Sequence, residues 1–324
     1  MLTIGWHSGA VFGPSVSAAA ASKLLKLPAS QIEDALGIAC TQACGLMSAQ
    51  FESEVKRMQH GFAARNGLLG ALLARGGYIG IKKVFEREYG GFLEMFGKGS
   101  GKEPKFLLEE VTKGLGKKWQ TKGVRVKPYA AMALTHASVD CVRILRQDHP
   151  EEMKHLDDVE KIELRMSEVS FHHGGFNAVR PLTSVGAQMS AAYVAATQMV
   201  DGEVLPAQFR HDMLERDHVW KLVDKIDCIL DNSVGPPGPW ESGQRIELKF
   251  RNGKKITAQV KAARGADPKI TNEEIVEKWR GLCKGVIDDE RRDKIEKLCL
   301  GLEDLDDVLK LEDLMAGLTK NPIA

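Results

Sequence analysis

Residues 61–75 read GFAARNGLLGALLAR, and this stretch decides the fold of the first part of the chain. It places Gly61, Gly67 and Gly70 among alanines and leucines, with no proline to break a helix. A glycine inside a helix costs about 1 kcal/mol relative to alanine, so its repetition indicates close contact with neighbouring helices. The stretch therefore predicts a helix over 61–75 within a tightly packed helical layer.

The sequence on either side of this helix extends the same layer. An alanine-rich run predicts a helix over 14–27, and Ser30 with Glu33 has the spacing of a capping box that opens a second helix to about residue 47. Residues 79–89 are predicted to continue as helix. The first 95 or so residues thus read as helical.

The period of the apolar residues changes after a Lys-, Gly- and Glu-rich stretch between residues 97 and 123. Strand alternation appears at 124–126 and 159–166, and Asn252-Gly253 is the strongest short-range signal of a β-hairpin. Helices are predicted over 130–147, 185–200, 214–226 and, with a capping box at Thr271 and Glu274, from 271 to about 318. We therefore predict a mainly α chain with an α+β insert: a discontinuous helical domain (1–116 and 264–324) and an α+β lid domain (117–263).

Composition limits the class of partner. The chain has 324 residues, and its 45 Lys+Arg against 44 Asp+Glu give a net charge of +1, so no overall field attracts nucleic acid or an anionic membrane. The uncharged runs 1–22 and 181–200 are too polar or too interrupted for a membrane span, and the first lacks the basic start of a signal peptide. Six scattered cysteines favour reduced thiols and a cytoplasmic location, with a mitochondrial one left open.

Several His and Lys residues stand beside glycine. His7 lies in GWHSGAVFG (5–13), where a ligand could meet both an imidazole and the start of a helix. Lys56 and His60, four residues apart in VKRMQHG, would share a helix face. The structural alternatives are a histidine packed in a turn and charges on a solvated surface.

Further candidates lie in the middle of the chain. Lys127 precedes Pro128 at a predicted domain boundary, and His136 follows on a helix, where a hydrogen-bonded core histidine is the alternative. His172 and His173 precede Gly-Gly, and in an extended chain adjacent side chains point to opposite faces. No further ligand stands at metal spacing, so no metal is predicted. Without a phosphate-loop, dinucleotide or nucleophile-elbow signature, these residues suit a small di- or tricarboxylate.

Longer motifs resemble the MmgE/PrpD family, and within it the fungal branch that decarboxylates cis-aconitate. The resemblance rests on the motifs GWHSGAVFG, EDALGIACTQACGLMSAQ, VKRMQHGFAARNGLLGALLARGGY, YGGFLEMFGKG, RVKPYA, HHGGF, RPLTSVGAQMSAAYV and NEEIVEKWR. It covers essentially the whole chain.

The resemblance implies a helical domain with an α+β lid, a homodimer and no metal or organic cofactor. It also implies a lyase, with a place in secondary metabolism, that converts cis-aconitate or an alkyl relative to an itaconate-type product. The implied catalytic residues are His7, Lys56, Lys127 and His172. His60, His136 and His173 are the candidates for substrate binding.

One departure from the family leaves alternatives open. Relatives carry a helical portion ahead of GWH with an Asp-Asp-x-His segment, and no such segment occurs in this chain. We therefore expect an incomplete helical domain with uncovered apolar surface. The alternatives are a decarboxylase, a 2-methylcitrate dehydratase-like hydro-lyase, and a non-catalytic remnant that acts through its dimer surface.

Overall fold

The chain folds into two compact units, Met1–Lys122 (the first unit) and Gly123–Ala324 (the second unit). The computed structural model describes residues 4–235 and 243–321. The first unit is helical, and the second combines helices with a small mixed sheet. The predicted fold class, mainly α with an α+β part, is confirmed. The three-part division at residues 116 and 263 stays a prediction.

Helices α1 and α2 of the first unit pack against the long helix α4. The helices are α1 (Ser8–Leu24), α2 (Ala29–Cys40), α3 (Ala49–Glu52), α4 (Val55–Arg75) and α5 (Phe92–Gly97). A Cβ at Gly67 would lie 2.4 Å from the Pro14 carbonyl oxygen and 2.6 Å from the Ala18 nitrogen, so only glycine lets α4 approach α1 this closely. A Cβ at Gly61 would meet nothing within 4 Å. The predicted close contact is therefore confirmed at Gly67 and wrong at Gly61.

The ends of the first helices differ from the sequence prediction. Helix α1 begins at Ser8, so Pro14, predicted to open it, lies inside the helix. The predicted capping box is wrong, because α2 has Pro28 as its N-cap and the Glu33 carboxylate instead accepts a hydrogen bond from the Lys83 N–H at 3.1 Å. Helix α2 also ends at Cys40, before the predicted residue 47.

The helix predicted over 79–89 is wrong. The segment forms successive turns, with Lys83 at φ 51°, a left-handed value. The Gly80 N–H donates to the Asp34 carboxylate at 3.0 Å, and the Lys82 ammonium lies 2.5 Å from the same carboxylate. Contacts with α2 thus replace the hydrogen bonds that a helix would have made.

The second unit is built on a sheet with the strand order β2-β1-β3-β4. The strands are β1 (Val159–Met166), β2 (Ile226–Leu230), β3 (Gln244–Phe250) and β4 (Lys255–Val260). Strand β1 pairs parallel with β2 and antiparallel with β3, with Leu164 opposite Cys228 and Ile246. Strands β3 and β4 form the predicted hairpin, and Gly253 has φ 84° in its turn. The Asn-Gly signal is confirmed.

Helices of the second unit cover the sheet and extend beyond it. They are α6 (His136–Asp148), α7 (Glu168–Gly174), α8 (Ser184–Met189), α9 (Ala191–Asp201), α10 (His211–Leu214), α11 (Asp217–Val223), α12 (Asn272–Cys283), α13 (Asp289–Leu300) and α14 (Leu309–Ala316). Residues Val139, Ile162, Tyr193 and Ile246, from α6, β1, α9 and β3, are fully buried together in one apolar core. Burying such a side chain stabilises the fold by about 1.5–3 kcal/mol.

Some predicted elements of the second unit shift or disappear. Residues 124–126 form no strand, and α6 starts only after a 3₁₀ turn, Ala133–Thr135. The helix predicted over 185–200 is divided at Ser190, whose hydroxyl accepts the Tyr193 N–H and caps α9. The helix predicted over 214–226 is shorter, because its end becomes strand β2. The capping box of Thr271 and Glu274 is confirmed.

Candidate active site

His7 is fixed by the backbone at the start of α1. It is the N-cap residue, and its carbonyl accepts the Ala10 N–H at 2.9 Å, while its own N–H donates to the Gly45 carbonyl at 3.0 Å. The isolated bridge between Trp6 and Leu46 holds the same two segments together. The imidazole is 9% exposed. The glycine-rich approach thus places a nearly buried imidazole at a helix start, as the sequence indicated.

Helix α4 brings three side chains to this imidazole. Lys56, Gln59 and His60 lie three and four residues apart, so one face of the helix carries all of them. The Lys56 Nζ lies 2.9 Å from His7 Nε2, and His7 Nδ1 is hydrogen-bonded to the Gln59 side-chain oxygen. The structure therefore brings together His7, Lys56 and His60, three of the predicted site residues.

The hydrogen bonds define which form of His7 is present. An ammonium can only donate, so Lys56 donates to Nε2, and Nδ1–H must then donate to Gln59 Oε1. The Gln59 amide nitrogen in turn donates to the Leu46 carbonyl at 2.9 Å, which fixes the amide orientation. Burial first, and then the Lys56 charge, lower the pKa of His7 below its ordinary value, and the Gln59 hydrogen bond opposes them. His7 is therefore a neutral imidazole at pH 7.

His60 packs edge-on against His7, with 4.8 Å between ring centroids. This contact needs a glycine on α1, because a Cβ at Gly9 would lie 2.3 Å from His60 Cε1. His60 is otherwise exposed, so its ring is open to solvent. The cluster of His7, Lys56, Gln59 and His60, named here the His7 cluster, thus combines a nearly buried imidazole, a half-buried ammonium group and an exposed imidazole.

Lys127 and His136 meet at one backbone carbonyl of the second unit. The Lys127 ammonium and His136 Nε2 each donate to the Ala131 oxygen at 3.2 Å. Burial lowers the pKa of His136 to about 4, and the nearby charges of Lys127 and Lys278 add to this effect. His136 is therefore neutral and internally hydrogen-bonded, which fits the structural alternative. Its role in substrate binding stays a prediction, as does the meeting of Lys127 with the His7 cluster.

A cavity of about 80 Å³ lies beside this pair. Lys127, Pro128, His136 and Arg264 are among the residues that line it. The Lys278 ammonium donates to the Lys127 backbone carbonyl, and burial lowers the pKa of Lys278. The second unit thus offers a small cationic cavity of its own.

The His172-His173 pair lies on α7, a helix, and not in the extended chain that the sequence analysis assumed. His172 is exposed and His173 is buried. Helix α7 packs against the 3₁₀ turn that precedes His136. A Cβ at Gly174 would lie 3.0 Å from Thr135 Cγ2, so the HHGG segment lies next to the start of α6. The catalytic role of His172 stays a prediction.

Sequence reasoning missed two groups of polar residues. Gln59 orients His7, and its position in the same helical turn as Lys56 and His60 was a signal that could have identified it. The Tyr129 hydroxyl donates to Asp140, which also accepts the Arg264 N–H at 2.7 Å, and Arg143 donates to the Tyr129 oxygen at 3.0 Å. Asp140 follows His136 by four residues, which is the only local signal for this network. Within residues 4–235 and 243–321, no group of three His, Cys, Asp or Glu side chains could hold a metal.

Two family domains match the chain. The MmgE/PrpD N-terminal domain matches residues 1–105, and the MmgE/PrpD C-terminal domain matches residues 129–302. The chain belongs to the MmgE/PrpD family. The boundary between the two structural units, after Lys122, falls in the stretch between these two matches.

Particular relatives are similar over most of this chain. A cis-aconitate decarboxylase-like protein, oryM, from Aspergillus oryzae is 49% identical over 294 residues, which are 90% of this chain and 61% of the relative. The cis-aconitate decarboxylase of Aspergillus terreus is 45% identical over 296 residues, 90% of this chain and 60% of the relative. The human cis-aconitate decarboxylase is 29% identical over 228 residues, which are 68% of this chain and 44% of the relative. The chain thus spans about 60% of the length of its fungal relatives.

Proposed function

We propose that this protein is a carboxy-lyase that converts cis-aconitate, or an alkylated relative, to an itaconate-type product and carbon dioxide. The observation that carries the proposal is the 2.9 Å contact between the Lys56 ammonium and a neutral His7 imidazole. The similarity to fungal proteins named cis-aconitate decarboxylase supports the choice of substrate.

The reaction needs one proton and one leaving carboxylate. The bond to that carboxylate breaks, its electron pair forms the new double bond, and the electrons of the old double bond take a proton at the alkene carbon. Carbon dioxide leaves, and the two remaining carboxylates stay on the product. The site must therefore deliver a proton and hold negative charge.

The His7 cluster can supply both functions once the substrate is present. A bound polyanion adds negative charge beside His7 and attracts the Lys56 ammonium, and both changes raise the pKa of the imidazole. His7 then becomes a proton donor, while Lys56 holds a carboxylate that stays. We assign Lys127 to a second retained carboxylate. His60 and His173 are assigned to substrate binding and His172 to the catalytic lid, as the family resemblance implies.

The experiment measures carbon dioxide release and itaconate formation from cis-aconitate by the purified chain. Lys56→Met and His7→Gln should each lower kcat/KM by about 100-fold or more, the usual cost of losing a charge-stabilising or proton-transfer group. Lys23→Met is the matched control, because Lys23 is an exposed lysine of α1 outside the cluster, and its turnover should match the wild type.

Three results would overturn the proposal. They are an unmodified chain that releases no carbon dioxide, a Lys56→Met variant with unchanged turnover, and loss of water from 2-methylcitrate in place of decarboxylation. The last result would establish the hydro-lyase alternative.

The homodimer that the family resemblance implies, for the enzyme and for the non-catalytic alternative alike, is also a proposal. Met58, Phe62, Leu69 and Leu72 on α4 are 37–53% exposed, an unusual amount of apolar surface for one helix. We infer that a second copy of the chain covers this face. Light scattering should give twice the 35.6 kDa of one chain, and Phe62→Ser with Leu69→Ser should give the single mass. A monomeric wild type would refute this inference.

The compartment is also a proposal. All six cysteines are free, which fits a reducing compartment such as the cytoplasm. Within residues 4–235 and 243–321, no helix is long and apolar enough to cross a membrane.

A further inference from the structure

A cavity of about 800 Å³ lies in the second unit, and none of its lining residues belongs to the proposed active site. Its walls come from α6, α9, α11, the two 3₁₀ turns before β1, and the β3–β4 turn. These elements meet at the edge of the sheet where β1 begins and β3 ends. The cavity is therefore formed by several rigid elements and not by one loop.

Positive charge predominates around this cavity. Five basic side chains line it, against two acidic ones: Arg146, Lys154, Lys221, Lys225 and Arg251 against Asp157 and Asp224. The chain as a whole has a net charge of only +1. The charge is thus concentrated locally, which favours an anionic ligand.

Two of the five cations are held by uncharged acceptors. Arg146 donates to the Met199 carbonyl at 2.7 Å and Lys225 to the Val159 carbonyl at 2.6 Å. Lys154 and Arg251, in contrast, are each paired with a carboxylate, at 2.6 Å and 3.9 Å. A backbone carbonyl positions a cation without neutralising its charge. The Arg146 and Lys225 side chains are therefore ordered in advance, and their charge is available to an anionic ligand.

Apolar side chains form part of the lining, named here the floor. Leu156 and Val200 are half-buried there, beside the nearly buried Met153, Met199 and Leu222. A ligand that combined several negative charges with an apolar or aromatic part would satisfy both the rim and the floor.

We propose that this cavity binds an organic phosphate, with its phosphate groups on the basic rim and its apolar part on the apolar floor. Lysine and arginine together favour phosphate, because ammonium groups act as point charges and guanidinium groups donate two parallel hydrogen bonds. Binding at this cavity would be a second function of the chain, and the proposal does not depend on the proposed lyase activity.

The test is calorimetric titration of the full chain with pyrophosphate, ATP and citrate, in a metal chelator and at low salt. ATP should bind most tightly, because only ATP reaches both rim and floor, and pyrophosphate should bind more tightly than citrate. Lys154→Ala with Lys221→Ala removes two exposed rim charges and should weaken ATP binding at least tenfold. Lys269→Ala with Lys297→Ala removes the same charge from exposed positions outside the cavity and should change it less than twofold.

Several outcomes would overturn the proposal. Absence of ATP binding at millimolar concentration would do so, as would equal weakening by the rim and control variants, which would indicate non-specific attraction. Citrate binding as tight as that of pyrophosphate would contradict the phosphate assignment, and equal binding of ATP and pyrophosphate would contradict the role of the floor. The Lys56→Met variant should bind ATP like the wild type, which separates this site from the proposed active site.

Discussion

At the scale of single residues, His7 owes its properties to the side chains that surround it. The sequence indicated His7, Lys56 and His60, because helical spacing puts Lys56 and His60 on one face. Gln59 was missed, although it lies in the same helical turn, because the spacing does not show that its partner is His7, 52 residues away. Local spacing thus predicted which charges share a face, while the partner that fixes the imidazole depended on tertiary contact.

Replacing Gln59 with glutamate should raise the pKa of His7. The wild-type imidazole is held below its ordinary pKa of 6.5, and a carboxylate beside Nδ1–H would favour the charged form. Titration of the His7 ring protons by NMR measures the change, and a His7→Asn spectrum assigns the signal. A pKa that is unchanged or lower in Gln59→Glu would contradict the assigned hydrogen bond.

Gly9→Ala should move the His60 ring away from His7. The new methyl group would lie 2.3 Å from His60 Cε1, and because His60 is exposed its ring can turn outward. The stability cost should therefore stay at the lower end of the range of about 1–3 kcal/mol for overpacking. Denaturant unfolding of Gly9→Ala, His60→Ala and the double variant measures the coupling. Strictly additive effects would show that the two residues do not interact.

At the scale of elements, signals contained within a few residues predicted structure best. The Asn252-Gly253 hairpin and the Thr271–Glu274 capping box are both present, because their geometry is completed locally. The predictions of a capping box at Ser30 and of a helix over 79–89 are both wrong, and for the same reason. Glu33 and Asp34, on α2, bond to that segment, so a contact across the unit overrode the local preference.

The glycines of α4 give a matched pair of predictions. Gly67→Ala should destabilise the chain by about 1–3 kcal/mol, because the new methyl group would meet backbone atoms of α1 that cannot turn away. Gly61→Ala should stabilise it by up to about 1 kcal/mol, because the methyl group enters open space and alanine favours helix. Denaturant unfolding of both variants measures the difference. Equal effects would refute the assigned packing of α1 on α4.

At the scale of the whole molecule, the sequence predicted the fold class and the change from helices to a mixed sheet. The two units divide after Lys122, within the Lys-, Gly- and Glu-rich stretch, which offers little apolar surface to bury, while the domain boundaries at residues 116 and 263 stay predictions. The basic cavity could not be predicted. Its charges come from positions between 146 and 251 that only the tertiary fold brings together.

His136 should make the stability of the chain depend on pH. Its pKa is about 4 when folded and 6.5 when unfolded, so between these values the unfolded chain takes up a proton that the folded chain does not. Above pH 6.5 this group has no effect, and as the pH falls toward 4 it removes up to about 1.4 kcal/mol per pH unit. Unfolding of wild type and His136→Gln, whose amide can still donate to Ala131, isolates the effect. A constant difference between the two over this range would contradict it.

The order of strands in the sheet has a consequence for synthesis on the ribosome. Strand β1 is made first, yet its neighbours β2 and β3 begin at Ile226 and Gln244, after the five intervening helices α7 to α11. At about 5–20 residues per second, β1 waits for several seconds with Ile162, Leu164 and Met166 uncovered. A nascent chain that stalls in this interval exposes an unpaired, aggregation-prone strand. Chaperone binding and the translation rate across 167–250 should therefore determine the yield of correctly folded protein.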